Sequence, residues 1–194
     1  MVLPTLTTDL LTADEFIDRY GHMTGVELVG GRVTWKHAPY DPTTTGGTMP
    51  KFRHGVYCNA AARLLDDFVR PRKLGWVATN DTFVKTSGNL VRGADVLYVG
   101  FDRVPAGEPP EDLDVPPDLV VEVRSPTDRI AVLSAKAMEY TEAGVRVVLV
   151  VDPVSQSVAV FRPDEFPVRL HNGDELTLPD VLPGFAVPVK AFFE

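Results

Sequence analysis

The sequence has no apolar run long enough for a bilayer: its longest, Val147 to Val151, falls far short of the roughly 20 residues a membrane-crossing helix needs. The start, MVLPTLTTDLLTADEF, lacks the basic segment and apolar stretch of a signal peptide, and the single cysteine, Cys58, has no partner for a disulfide. Both features predict a protein of the reducing cytoplasm. Positive charge is scarce, with 19 Lys and Arg against 27 Asp and Glu and a net charge of -8. That balance excludes a general nucleic-acid coat, because phosphate binding by counterion release needs a surplus of Lys and Arg. Any such contact is confined to a local patch, the densest being Arg70, Arg72 and Lys73, with Lys51, Arg53 and His54 upstream. A Gly-x-Ser-x-Gly elbow is missing and His22, His37, His54 and His171 stand in unrelated contexts, which argues against a Ser-His-Asp hydrolase. With no second cysteine and no histidine pair at ligand spacing, the sequence does not read as a zinc site either.

What is present suits one globular domain over residues 1–194, at 44% hydrophobic and 24% charged residues. Thr12 and Glu15 have capping-box spacing, which predicts a helix from Ala13 to about Tyr20. Val26 to Val29 and Arg32 to Lys36 flank Gly30-Gly31 and read as a hairpin, and residues 37–52 as a long loop. Val56, Ala60, Ala61, Leu64, Leu65 and Phe68 recur at helical spacing, predicting a helix from Arg53 to Val69 that Pro71 stops. Short strands follow at Trp76 to Thr79, Thr82 to Lys85, Leu90 to Arg92 and Asp95 to Val99, with a turn at Ser87-Gly88-Asn89. Asp118 to Arg124 is a strand, and Thr127 or Asp128 caps a helix running to Ala143. Val145 to Val151 and Val158 to Arg162 complete a mixed α/β core.

Alternation along Asp118 to Arg124 puts Glu122 on one face with Asp118, Val120 and Arg124. A carboxylate inside so apolar a strand is costly unless it is paired or holds a cation, and an ion pair with Arg124 is the plain alternative. Lys136 lies on the helical stripe of Val132, Leu133 and Tyr140, a face expected to pack on the sheet. Asp95 supplies a second acid on a neighbouring strand. Two acids and a lysine make a hard-cation site of the kind that serves phosphodiester hydrolysis with Mg²⁺ or Mn²⁺. On this reading Lys136→Met removes a charge needed for chemistry and leaves stability nearly unchanged.

These residues sit in segments that together resemble the Uma-type restriction endonuclease family, a branch of the PD-(D/E)XK nuclease superfamily. The segments are LTADEF at Leu11 to Phe16, VELVGGRV at Val26 to Val33, RGADVLYV at Arg92 to Val99 and PDLVVEVRSPTD at Pro117 to Asp128. KAMEYTEAGV at Lys136 to Val145, LVVDP at Leu149 to Pro153 and LPGF at Leu182 to Phe185 complete them. The resemblance implies a restriction-endonuclease-like mixed sheet flanked by helices, with an N-terminal hairpin. It implies metal ligation by Asp95 and Glu122, here expected with the Val123 carbonyl, and a catalytic Lys136 on the helix after the strand. Arg124 stands where the superfamily lysine normally sits, and Ala94 where its proline sits. Glu27 is a further acid near the site or a surface charge of the hairpin, and His54 either touches substrate or metal or serves the helix start. The expected activity is Mg²⁺- or Mn²⁺-dependent cleavage of DNA by a homodimer. The alternative is an inactive nuclease fold that binds nucleic acid or a protein partner.

Overall fold

The computed structural model describes residues 7–23, 25–36, 52–126 and 128–194. The expected long loop at 37–52 lies almost wholly outside these residues, as do His37, Lys51 and Thr127. Helix α1, Ala13–Tyr20, begins with the expected capping box, in which Glu15 N–H donates to Thr12 and Thr12 N–H donates to the Glu15 carboxylate. Phe16 is its buried anchor. Strands β1, Val26–Val29, and β2, Arg32–Trp35, form the hairpin, turning at Gly30 and Gly31, both with positive φ. Helix α2 spans Phe52–Arg72, so Pro71 falls inside the last turn and does not end the helix before it. Ala60, Ala61, Leu65 and Val69 form its buried stripe.

The four short strands expected next are two long ones, β3, Gly75–Ser87, and β4, Leu90–Gly100. A register shift between Thr79 and Thr82 keeps β3 continuous, and Asn80 and Asp81 carry the excess residue with φ of 71° and 58°. Asn and Asp tolerate that left-handed conformation better than most residues, and their turn-like chemistry imitates a strand end. Strand β5 is Leu119–Val123, helix α3 is Ile130–Glu142 and β6 is Val147–Asp152, with β5 and β6 parallel. Arg129 is the N-cap of α3 and makes no side-chain cap, while Asp128 accepts from the Ser125 N–H instead.

Strands β7, Ser157–Phe161, and β8, Val168–His171, extend the sheet in the order β2-β1-β4-β5-β6-β7-β8, with β3 also paired to β4. Beyond them β9, Glu175–Leu178, and β10, Leu182–Pro188, make a small second sheet followed by a 3-10 turn at Val189–Phe192. One face of the main sheet packs on α2 and this C-terminal unit through Leu65, Val121, Leu149, Leu176 and Phe185. The other face packs on α3 through Val120, Leu133, Ala137, Tyr140 and Val148. The architecture is the expected mixed α+β sheet flanked by helices.

Candidate active site and metal centre

The site lies where β4 changes partners. β3 follows one edge of β4 from Gly75 opposite Gly100 to Ser87 opposite Leu90. The other edge is shared, with β1 meeting it at Leu28 opposite Val91 and β5 at Val121 to Leu119 opposite Val96 to Tyr98. Gly93, Ala94 and Asp95 lie between those two contacts, and charged side chains take the place of a strand. Gly93 N–H donates to Glu27 Oε1 at 3.1 Å, and Gly93 O accepts from Lys36 Nζ at 2.9 Å and Lys136 Nζ at 3.1 Å. Asp95 Oδ2 accepts from the Val123 N–H at 2.7 Å, so this carboxylate holds the end of β5 to β4 just beyond their last backbone pair.

Glu122 projects with Val120 toward α3, as strand alternation requires. Its Oε1 lies 3.0 Å from Lys136 Nζ and accepts from the Tyr140 hydroxyl at 2.9 Å. Lys136 and Tyr140 are one helical turn apart on α3, which delivers both groups to one acid. Lys136 Nζ also donates to Glu27 Oε1 at 2.9 Å, and Glu27 Oε2 accepts from Arg92 Nη1 at 2.9 Å. Arg92 in turn forks onto both oxygens of Glu139 at 2.8 and 3.0 Å. On the hairpin side Lys36 joins Asp81 and Asp95, reaching Asp95 Oδ1 at 2.6 Å. Glu27, Lys36, Asp95, Glu122, Val123 and Lys136 all line a cavity of about 410 Å³.

Burial by itself would raise the Asp95 carboxyl, but the Lys36 ammonium and the adjacent His54 hold it well below the ordinary carboxylate range. Burial lifts Glu122 above its usual value, the facing ammoniums of Lys136 and Lys36 compensating only in part. Two carboxyls of one cavity are thus driven in opposite directions, the condition under which neighbouring acids take different acid-base roles. For Lys36, burial opposes the charge, but Glu122, Asp95 and Asp81 outweigh it and hold the ammonium protonated well above its usual range.

A second, smaller cavity of about 290 Å³ adjoins the first, sharing His54 and Asp95 with it and lined also by Cys58, Asn59, Asn80 and Asp81 among others. His54 and Cys58 are one turn apart near the start of α2, with His54 Nε2 3.3 Å from Cys58 Sγ and 3.6 Å from Asp95 Oδ1. His54 Nδ1 lies 3.4 Å from Ser125 Oγ. The hydrogen bond to Asp95 raises the His54 imidazole above its usual value. Burial pushes the Cys58 thiol up, and the Asp95 carboxylate adds to that.

The structure therefore brings together Asp95, Glu122, Lys136, Glu27 and His54. Glu27 faces the cavity at 5% exposure and is no surface charge of the hairpin. Arg124 is placed elsewhere: its Nη1 donates to Asp152 Oδ2 at 3.0 Å and its Nε to the Asp128 carbonyl, so the alternative ion pair between Arg124 and Glu122 is not formed and Lys136 faces Glu122. Val132, expected on the packed stripe, is 62% exposed, and Ala137 fills that face instead. Sequence reasoning missed Lys36, Asp81, Arg92, Tyr140 and Cys58 as members of the site. Only Cys58 left a usable signal, its four-residue spacing from His54 on a helix.

A family model described as "Uma2: Putative restriction endonuclease" matches residues 47–190. The fold is similar to the crystal structure of a protein from Anabaena variabilis described as a putative nuclease belonging to DUF820. The TM-score is 0.77 at 17% identity, over 94% of this chain and 97% of that chain. At such identity the likeness is one of fold. No curated protein matches the sequence.

Proposed function

Because the chain belongs to the Uma2 family of putative restriction endonucleases, we propose that it is a divalent-metal-dependent endonuclease that hydrolyses phosphodiester bonds of DNA. The carrying observation is the meeting of Asp95 and Glu122, from adjacent strands, in one cavity beside the Lys136 ammonium. The donor set fits a hard cation, since both acids offer oxygen and Val123, at the end of β5, lines the same cavity with a main-chain carbonyl to offer. Asp95, Glu122 and the Val123 carbonyl would hold Mg²⁺ or Mn²⁺. When bound, such an ion supplies activated water at neutral pH and neutralises charge on phosphoryl oxygens.

The chain's own groups do the positioning. Lys136, fixed by Glu27, Glu122 and the Gly93 carbonyl, presents an ammonium that orients a nucleophile or offsets charge developing on the phosphoryl group. Arg92 neutralises the second oxygen of Glu27, which leaves Lys136 to serve Glu122 and the cavity. Lys36 acts as a resident counter-ion and yields Asp95 Oδ1 when a divalent ion arrives. Cutting both strands of a duplex is met by two-fold symmetry, and a homodimer is the proposed active form. Sedimentation at micromolar concentration checks that state.

The test is calorimetric titration with Mn²⁺ and nicking of supercoiled plasmid by wild type and Asp95→Ala. Wild type is expected to bind and to nick only with metal, and the variant to lose binding and about 10²-fold or more in rate. Undiminished Mn²⁺ affinity in Asp95→Ala would move the metal elsewhere. A second reading, a nuclease fold that binds DNA or a protein without cutting, is favoured by the ammoniums already seated on Asp95 and Glu122. A wild type that binds DNA and metal yet never nicks would establish it.

A further inference from the structure

Beside Asp95, His54 borders both the Glu122 cavity and the smaller one, and with Cys58 it adds ligand types that have little place in hard-cation chemistry. His54 Nε2, Cys58 Sγ and a carboxylate oxygen of Asp95 all lie within 4.8 Å of one another, two of the spacings being 3.3 and 3.6 Å. Zinc bonds near 2.3 Å to sulfur and 2.0–2.2 Å to nitrogen or oxygen place ligand atoms of a tetrahedral site roughly 3.3–3.6 Å apart. The two spacings from His54 Nε2 therefore already stand close to what such an ion requires. We infer that His54, Cys58 and Asp95 form a binding site for a borderline-soft divalent cation, Zn²⁺ or Co²⁺, with a fourth position open to the adjoining 290 Å³ cavity.

Three further observations support the assignment. The ligands are oriented from behind: Asp95 Oδ2 is tied to the Val123 N–H, and His54 Nδ1 lies beside Ser125 Oγ, leaving Nε2 to face the other donors. The backbone places them, because His54 and Cys58 occupy successive turns of α2 and Asp95 comes from β4. Charge also closes. A divalent ion with Lys36 brings three positive charges, and Asp81, Asp95 and the Cys58 thiolate bring three negative ones. Binding converts the Cys58 thiol to thiolate, its proton passing to solvent, with no redox change. Hard Mg²⁺ has little affinity for sulfur, so the His54 and Cys58 donors select a different ion from the Glu122 side, although both centres draw on Asp95 Oδ1. The site shares Asp95 with the proposed nuclease centre but does not rest on DNA cleavage.

Cobalt titration under anaerobic conditions tests it. Cys58 is the sole cysteine of the sequence, so any cobalt-to-thiolate charge-transfer absorption reports this site alone. Wild type is expected to show that band together with tetrahedral visible absorption, to lose both on addition of Zn²⁺, and to retain both in excess Mg²⁺. Cys58→Ser should abolish the charge-transfer band. His54→Ala should weaken cobalt binding by at least about tenfold, since changes even to groups behind the ligands cost roughly 10–100-fold in affinity. Glu122→Gln, which disables the proposed nuclease centre, should keep the full cobalt spectrum, separating failure of one site from failure of the other. Circular dichroism confirms that each variant is folded. A wild type without the band, or a band undiminished in His54→Ala, would overturn the assignment.

Discussion

The two faces of the main sheet are built from the same strands yet differ in kind. Toward α2 and the C-terminal unit the interior is continuous hydrocarbon, with Leu65, Val121, Leu149, Leu176 and Phe185 fully or almost fully buried. Toward α3 the hydrocarbon is interrupted by Glu27, Asp95, Glu122 and Lys136, each no more than 8% exposed. A single strand, β5, contributes to both: Leu119, Val121 and Val123 to the first, Val120 and Glu122 to the second. The difference teaches that one side of the sheet supplies surplus stability and the other spends it on buried charge, since ions taken from water recover their desolvation cost only when paired and hydrogen-bonded.

The largest expected effect on stability comes from breaking the charged side. Lys136→Met leaves Glu27 and Glu122 without their shared cation, and unfolding in denaturant is expected to show a loss of about 3–5 kcal/mol. The sequence-based expectation of near-neutral stability rested on exchanging a buried cation for an apolar side chain of similar volume, and the two acids seated on Lys136 change that balance. A variant as stable as wild type would show that the two faces do not differ as described. Leu65→Ala, on the opposite face, should cost about 2–5 kcal/mol through its cavity while leaving Mn²⁺ affinity unchanged. If metal affinity fell with it, the faces would be energetically coupled.

The smallest effect sharpens the comparison at the boundary, where His54 meets Asp95. Its folded pKa lies above the ordinary 6.5 because of the Asp95 hydrogen bond. The stabilisation is therefore fully present below about pH 6.5 and is lost as pH rises through the folded value. In metal-free buffer, wild type should exceed His54→Gln by on the order of 1 kcal/mol at about pH 6, and by less at about pH 9. Equal gaps at both pH values would remove the ion pair from the account.

The legible parts of this molecule were those governed by local period. Strand alternation placed Glu122 on the α3 face, and the helical stripe placed Lys136 opposite it, because both rules act within a few residues. The capping box of α1 and the hairpin at Gly30-Gly31 were legible for the same reason. Lys36 was not, since its partners Asp81 and Asp95 lie 45 and 59 residues away and only the sheet brings them together. Asp81 was hidden twice, first by reading Asn80-Asp81 as a strand end and then by its position on a bulge that aims it at the site. Arg124 was left open as a partner of Glu122 because alternation fixes a face but not a partner, and the structure pairs it with Asp152 on β6. His54 was legible as a candidate for substrate or metal, but Cys58, four residues on, was hidden because the lone cysteine of the sequence shows no partner of its own kind.

The contact between Asp95 and the Val123 amide makes one backbone proton a gauge of the site. That hydrogen is held by a side chain and not by a neighbouring strand, so its exchange with solvent deuterium depends on whether Asp95 keeps its orientation. Anything that turns the carboxylate should quicken exchange at Val123 while the amides between β5 and β6 stay protected. The occupancy of the site then becomes visible from the end of a central strand, without substrate, at a single position.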